Sequence, residues 1–354
     1  MSAKKLLRNV DPNRKKLTII LEKKSRTVLA KFRQETVLGI SHPQSISILK
    51  DVNTYWKDLQ RPSLTSFSCE AVGGQSSVAE EAGLMITLAA AGMGIHDDII
   101  DKSESKHFKE TILGRHGIDN ALLVGDLLII KGLTYSQKFL GETCEPRTKA
   151  AVLEALQNFI FEIYEGELMD VLCRQNLETE PEYYTKIIWK LTSDAEACAR
   201  IGAILGGGSE DEIRSLAEFG RKLGFIIHLG EELRDLLNVE GNLPHRLVYE
   251  SVPLPILYAA KHSKDAHEQI KSIIHGSDIA PHVSDLIKLC WKTKAVSYIY
   301  DLAKQNSKQA IQKLESLKPS IARDNLALMM KVSLTYIKRE RYVENRYLRL
   351  LNSA

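Results

Sequence analysis

Three aspartates close an apolar, small-residue run in Gly94-Ile95-His96-Asp97-Asp98-Ile99-Ile100-Asp101. On a helix, Asp97 and Asp101 share one face. Like charges at that spacing repel by about 0.2–0.5 kcal/mol when exposed, and by more where water is excluded. A bound cation removes the conflict. Hard oxygen ligands in small number suit Mg²⁺, which completes its shell with waters and substrate phosphates. The pattern therefore points to a Mg²⁺ site for a phosphorylated substrate. The plain alternative, an acidic helix end in solvent, conflicts with the negative end of the helix dipole.

A second acidic group, Glu231, Glu232 and Asp235, ends another apolar run, Ala217 to Leu229, and Glu231 and Asp235 again share a face. Taken alone, such a group is more often a solvated face than a ligand set. Paired with the first, it suggests a cation site with two sides.

Long helices must carry both groups. Apolar residues recur at three-to-four spacing over Ala150 to Val171 and Ile213 to Leu237, and proline is sparse, at 10 residues. Breaks fall near His42-Pro43, Gly73-Gly74, Gly114 to Gly117, Cys144-Glu145-Pro146, Gly206 to Gly208, Gly241 to Pro244 and Gly276 to Pro281. They delimit roughly ten helices. No alternating run bounded by hairpin signals occurs, so a sheet is not expected. With no Gly/Ser- or Pro-rich linker, the reading is a helical extension over 1–45 followed by one all-α domain over 46–354.

Hydrophobic residues at 44% and charged residues at 26% fit a soluble globular chain. A net charge of +3 over 354 residues gives no global field for nucleic acid. Cys69, Cys144, Cys173, Cys198 and Cys290 are odd in number and have no metal-finger spacing, which fits a reducing cytoplasm. The basic N-terminus lacks the apolar core of a secretory signal. The apolar stretch Gly83 to Ile95 is shorter than the roughly 20 residues needed to cross a bilayer, so no integral membrane segment is expected. His96 and the tryptophans Trp56, Trp189 and Trp291 read as orienting and packing residues.

From about Arg61 to Tyr258 the sequence resembles the trans-isoprenyl diphosphate synthases, or polyprenyl synthetases. The resemblance rests on Arg61-Pro62, Glu70-Ala71-Val72-Gly73-Gly74, His96-Asp97-Asp98-Ile99-Ile100-Asp101, Thr111, Gly117, Gly125-Asp126 and Gly166-Glu167-Leu168-Met169-Asp170. It continues through Lys190, Gly202-Ala203-Ile204-Leu205-Gly206-Gly207 and Leu254-Pro255. It implies the isoprenoid synthase fold, a single helical bundle around a central cavity, and a homodimer. It also implies a reaction in which Mg²⁺ held by Asp97, Asp101, Glu231, Glu232 and Asp235 draws diphosphate from an allylic substrate. Isopentenyl diphosphate then attacks the cation, and the polyprenyl chain grows by one unit. Asp97, Asp98, Asp101 and Lys190 are the implied catalytic residues, with Lys57, Arg61, Lys106, His107 and His228 on the substrates. Ala89, Gly92 and Met93 border the implied chain-length pocket, where Gly92 either leaves room for a long prenyl tail or, with its small neighbours, permits tight helix packing.

The departures from the family pattern are specific. The second motif is Glu231-Glu232-Leu233-Arg234-Asp235 in place of three aspartates, and His228 stands where Gln is usual. Arg234 is placed to compete with a metal for a carboxylate. The arginine pair after the first motif is Lys106-His107, and the position before it that is usually His or Gln is Ala90. Basic residues of the C-terminal helix, Lys338, Arg339, Arg341 and Arg346, are candidate substitutes. The same ionisation also admits cyclisation or transfer to another acceptor, and a rival from outside enzymology is a non-catalytic subunit of a heteromeric synthase.

Overall fold

The computed structural model describes residues 11–276 and 278–351, with side chains through residue 338. The first ten residues of the expected extension, and the side chains of Arg339, Arg341 and Arg346, lie outside the described residues. Helix α1 (Pro12–Glu35) starts at Asp11, whose carboxylate accepts the Asn13 amide at 2.9 Å, with Pro12 preset for the first turn. Leu17 and Leu21 of α1 join the main core, and Val28 and Phe32 a second apolar cluster.

Helices α2 (Pro43–Tyr55) and α3 (Gln60–Ala71) lead to α4 (Ser76–Ile100), which carries the first acidic group. The apolar run read as ending at Ile95 continues as 25 helical residues, long and apolar enough to cross a membrane by length and composition, yet 78% of that window is buried inside the protein. It is a core helix. Helix α5 (Ile112–Thr143) packs along it so closely that a Cβ on Gly92 would lie 2.4 Å from the Gly125 carbonyl oxygen, and one on Gly132 would lie 2.8 Å from the Met85 carbonyl oxygen. The break expected over Gly114 to Gly117 is a kink inside α5, where Gly117 has φ 76°.

Between α4 and α5 the structure has a feature the sequence reading excludes: a two-stranded antiparallel hairpin, β1 (Ser105–Lys106) and β2 (Lys109–Glu110). Its two turn residues, His107 and Phe108, both take positive φ, 54° and 61°, as a tight hairpin turn demands. Neither is a usual turn residue, so no hairpin signal was present to read. Thr111 closes the loop. Its hydroxyl donates to the Ser103 carbonyl at 2.8 Å and accepts the Gly114 amide at 3.0 Å, which caps α5.

The chain continues through α6 (Pro146–Leu172), α7 (Pro181–Leu191), α8 (Ser193–Leu205) and α9 (Glu210–Leu236), the last opened by a Ser209/Glu212 capping box. It ends with α10 (Leu243–Tyr249), α11 (Leu254–His262), α12 (Lys264–Ile274), α13 (Val283–Lys292), α14 (Ala295–Leu314) and α15 (Ile321–Leu351). These exceed the expected ten because several breaks carry no glycine. Thr192 separates α7 from α8, Ser263 caps α12, and Lys294, at φ 63°, turns the chain into α14. Buried residues of α3, α4 and α6 to α15 form one continuous core, as expected of a single all-α bundle.

Candidate active site

The C-terminal ends of α4 and α9 border a cavity of about 1490 Å³. Apolar side chains on its wall include Leu17 and Leu21 from α1, Leu64 from α3, Met93 from α4, and Leu223 and Ile227 from α9. Its mouth is polar. There Asp97, Asp98 and Asp101 converge on one point, filled by the ammonium of Lys106, which stands 2.7 Å from Asp97, 3.0 Å from Asp98 and 3.8 Å from Asp101. The hairpin makes this approach possible. His107 donates its amide to Glu240 at 2.8 Å and places its ring 3.0 Å from the same carboxylate, anchoring the turn that aims Lys106 inward.

Further contacts hold the end of α4. Arg174 donates to the Ile100 carbonyl at 2.7 Å and lies 3.3 Å from Asp101, while His245 lies 2.9 Å from the Asp101 carbonyl. The Tyr55 hydroxyl reaches Asp98 at 3.4 Å. Burial, only partly offset by Lys106, pushes Asp98 up to about 6. Burial together with the charges of Asp97 and Glu250 pushes Asp101 up to about 9, and burial with Asp97 and Asp170 pushes Glu167 up to about 8. The mouth thus holds more negative charge than it can ionise without a further cation.

The second acidic group is arranged differently. Glu232 is buried, and both its oxygens are engaged, one by Arg246 at 2.6 Å and the other by the Leu254 amide at 2.6 Å. Arg246 also pairs with Asp235 and donates to the Tyr184 hydroxyl at 3.0 Å. Glu231 is half exposed and 3.8 Å from Arg234, which is itself held by Tyr336 at 2.7 Å and by Glu240.

A family model described as Polyprenyl synthetase matches residues 57–289. The chain belongs to the polyprenyl synthetase family. It is 28% identical over 274 residues to a short chain isoprenyl diphosphate synthase of Methanothermobacter thermautotrophicus, covering 76% of this chain and 83% of that one. It is 22% identical to an octaprenyl diphosphate synthase of Haemophilus influenzae over 79% of this chain and 83% of that one. Among solved structures it is similar to geranylgeranyl pyrophosphate synthetase from Pyrococcus horikoshii, with a TM-score of 0.80 and 26% identity, over 90% of this chain and 98% of that one. A decaprenyl diphosphate synthase from Rhodobacter capsulatus shares the fold at a TM-score of 0.79 and 20% identity, over 92% of this chain and 99% of that one. The protein is thus a prenyltransferase of the isoprenyl diphosphate synthase type with the isoprenoid synthase fold.

For a polyprenyl synthetase, the residues expected at the cavity separate into those that reach it and those that do not. Lys57, Arg61, Lys106, His107, His228 and both acidic groups line it. Arg61 is committed, at 2.6 Å to Asp194 and 3.0 Å to Asp58. His228 is held below its ordinary value by burial. Lys190 is not on the cavity wall; at the end of α7 it pairs with Glu165 of α6 at 2.7 Å. Gly92 and Ala89 do not line the cavity either. The space beside Gly92 is filled by the α5 backbone, and the Ala89 methyl lies 3.1 Å from where a Gly132 Cβ would stand. Of the expected chain-length residues, Met93 borders the cavity, joined by Ala90.

The sequence reading omitted Arg246, Tyr184, Arg174, Glu167, Asp170 and Glu250 from the site, though all but Arg174 line the cavity. Glu167 and Asp170 carried a signal, two carboxylates at three-residue spacing on one face of α6. Arg246 carried none, because its partners lie 11 and 14 residues away across the turn between α9 and α10.

The donor chemistry at the first acidic group fits a divalent cation: three carboxylates already converge on one protein-borne charge. Among the described residues, no three His, Cys, Asp or Glu side chains are gathered to hold an ion by themselves. At the first group Lys106 occupies the point of convergence. At the second, one oxygen each of Glu232 and Asp235 is bound to Arg246 and the other oxygen of Glu232 to the Leu254 amide, and the set does not fit a metal.

Proposed function

We propose that this protein condenses an allylic isoprenoid diphosphate with isopentenyl diphosphate, giving a longer polyprenyl diphosphate, in a Mg²⁺-dependent reaction. The observation that carries the reading is the convergence of Asp97, Asp98 and Asp101 in a cavity whose wall also presents Leu64, Met93, Leu223 and Ile227. When bound there, Mg²⁺ neutralises the diphosphate charge as it departs. The aspartates orient that end of the substrate, while Leu64, Met93, Leu223 and Ile227 surround the prenyl chain and keep water from the cation formed. In this reading Lys57 and His107, both on the cavity wall, meet the second diphosphate. Arg61, fixed by Asp58 and Asp194, gives that corner its shape.

Two copies pair through α5 and α6 in this reading. Ile118, Leu122, Leu123 and Ile130 on α5, and Phe161, Leu168 and Leu172 on α6, are apolar and exposed in the single chain. The paired protein works in the cytoplasm.

The test incubates purified protein with Mg²⁺ and farnesyl or geranylgeranyl diphosphate, with and without isopentenyl diphosphate, and identifies products by mass spectrometry. Longer diphosphates that need isopentenyl diphosphate are expected, and Asp101→Asn is expected to lower kcat by about 10²-fold or more. Diphosphate release that ignores isopentenyl diphosphate would replace this reading with cyclisation or another acceptor. Light scattering on the same preparation is expected to give twice the chain mass, and a monomer refutes the pairing.

A further inference from the structure

The two acidic groups hold their protein cations in different ways. Lys106 is a point charge with rotatable donors on a surface hairpin, and 29% of its side chain is in water, so rotation about its own bonds frees the three aspartates. Arg246 is only 9% exposed at its side chain, and each of its three guanidinium nitrogens is engaged. Its Nε donates to the Ser251 carbonyl at 3.3 Å, Nη1 pairs with Asp235, and Nη2 donates to Glu232 at 2.6 Å and to Tyr184 at 3.0 Å. Glu250 stands 3.7 Å away on the same helix turn. Burial alone would lower the arginine's affinity for its proton, but Glu232, Tyr184 and Asp235 outweigh it and raise it well above the ordinary value.

We infer that Arg246 is a built-in cation that permanently takes the place of a metal at the second acidic group, so that divalent ions enter this site only at Asp97, Asp98 and Asp101. Mg²⁺ needs near-octahedral oxygen ligation at about 2.0–2.1 Å. The oxygens of Glu232 and Asp235 that bind Arg246 cannot supply it while a guanidinium lies between them. Withdrawing Arg246 would leave a buried charge without partners, which proteins do not tolerate. Glu231, the one carboxylate of the group outside this network, is half exposed and single. The inference rests on the proposed function only in assuming that the first group takes metal.

The test counts Mn²⁺ bound per chain, from the spin-resonance signal of free Mn²⁺, with Mn²⁺ added alone and then with inorganic diphosphate. Asp101→Asn is expected to weaken binding at least tenfold, while Asp235→Asn leaves the number of ions and their affinity within twofold of wild type. A tenfold loss in Asp235→Asn overturns the inference. Arg246→Ala is expected to gain one Mn²⁺ per chain and to be stabilised more by Mn²⁺ than wild type in a thermal melt; a folded variant that gains none also overturns it. If Arg246→Ala does not fold, Asp235→Asn decides. If wild type binds no Mn²⁺ at all, the metal-dependent function fails separately, and the inference is still decided by whether Arg246→Ala acquires a site.

Discussion

Replacing Lys106 by Met tests whether the hairpin lysine competes with metal. Lys106 stands 2.7 Å from Asp97 and 3.0 Å from Asp98 but 3.8 Å from Asp101, so the two nearer carboxylates carry most of its attraction. Breaking a fully buried pair costs about 3–5 kcal/mol. About a third of the Asp97 and Lys106 side chains is in water, which screens the attraction, and ~2 kcal/mol is the discounted figure. At about 2.1 cal/mol/K per residue over 354 residues, the unfolding entropy is about 0.74 kcal/mol/K, so the metal-free variant should melt about 3 °C below wild type. Mg²⁺ should then bind more tightly, because nothing has to be displaced: ~2 kcal/mol is about 30-fold in affinity. At 100 times its dissociation constant the ion returns about 2.7 kcal/mol of stability. Calorimetric titration with Mg²⁺ alone, together with melts at matched Mg²⁺, reads both numbers. A variant that binds Mg²⁺ no more tightly than wild type refutes the competition.

Gly92→Ala is expected to cost about 1–3 kcal/mol, because its methyl group would lie 2.4 Å from the Gly125 carbonyl and 2.7 Å from Ile129. Urea unfolding measures the cost, and product length should stay unchanged; a stable variant with altered products would return Gly92 to the cavity wall. Acid sensitivity is expected from Glu196. Burial would raise its affinity for protons, but Arg221, at 2.6 Å, and Arg200 outweigh it and hold the carboxyl below its ordinary 4.5. A depressed folded value means that this stability is present above about pH 4.5 and is lost as the pH falls through the folded value. Arg221→Gln should therefore lower stability by about 3 kcal/mol at pH 7 and flatten the loss below pH 4.5, and equal acid slopes in the two proteins would exclude the pair as its source.

What was legible in the sequence was local. Asp97 and Asp101 meet at the cavity because four residues on a helix return to the same face, and α4 is central because it is apolar nearly all round. Lys106 required a hairpin built from His107 and Phe108, residues that rarely turn a chain, so its position above the aspartates could not be read. Gly92 admits two readings from sequence, room for a substrate or close helix packing, because a missing side chain does not say what fills the gap. In the fold, the α5 backbone fills it, using Gly125 and Gly132 as the matching small residues. Lys190 was placed by its resemblance to a motif, yet the end of α7 turns it toward Glu165, an ordinary exposed pairing. The smallness of residues along α4 thus serves helix approach, while the cavity wall is set by Ala90 and Met93 on another face of the same helix.

A glutamate at position 232 has a physical consequence in this geometry. The longer Glu232 side chain reaches past the end of α9 to the Leu254 amide at the start of α11, and its other oxygen meets a guanidinium from α10. A carboxylate that ties three helices together is a structural element, and its charge is spent on Arg246 before any ligand arrives. The first group differs because its counter-charge comes from a side chain free to rotate. Burial holds Asp98 and Asp101 above the ordinary carboxylate range, and a cation that took the place of that lysine would favour their charged forms. The asymmetry between a removable lysine and a fixed arginine is what makes the first group, of the two, the one that can respond to a metal and a diphosphate.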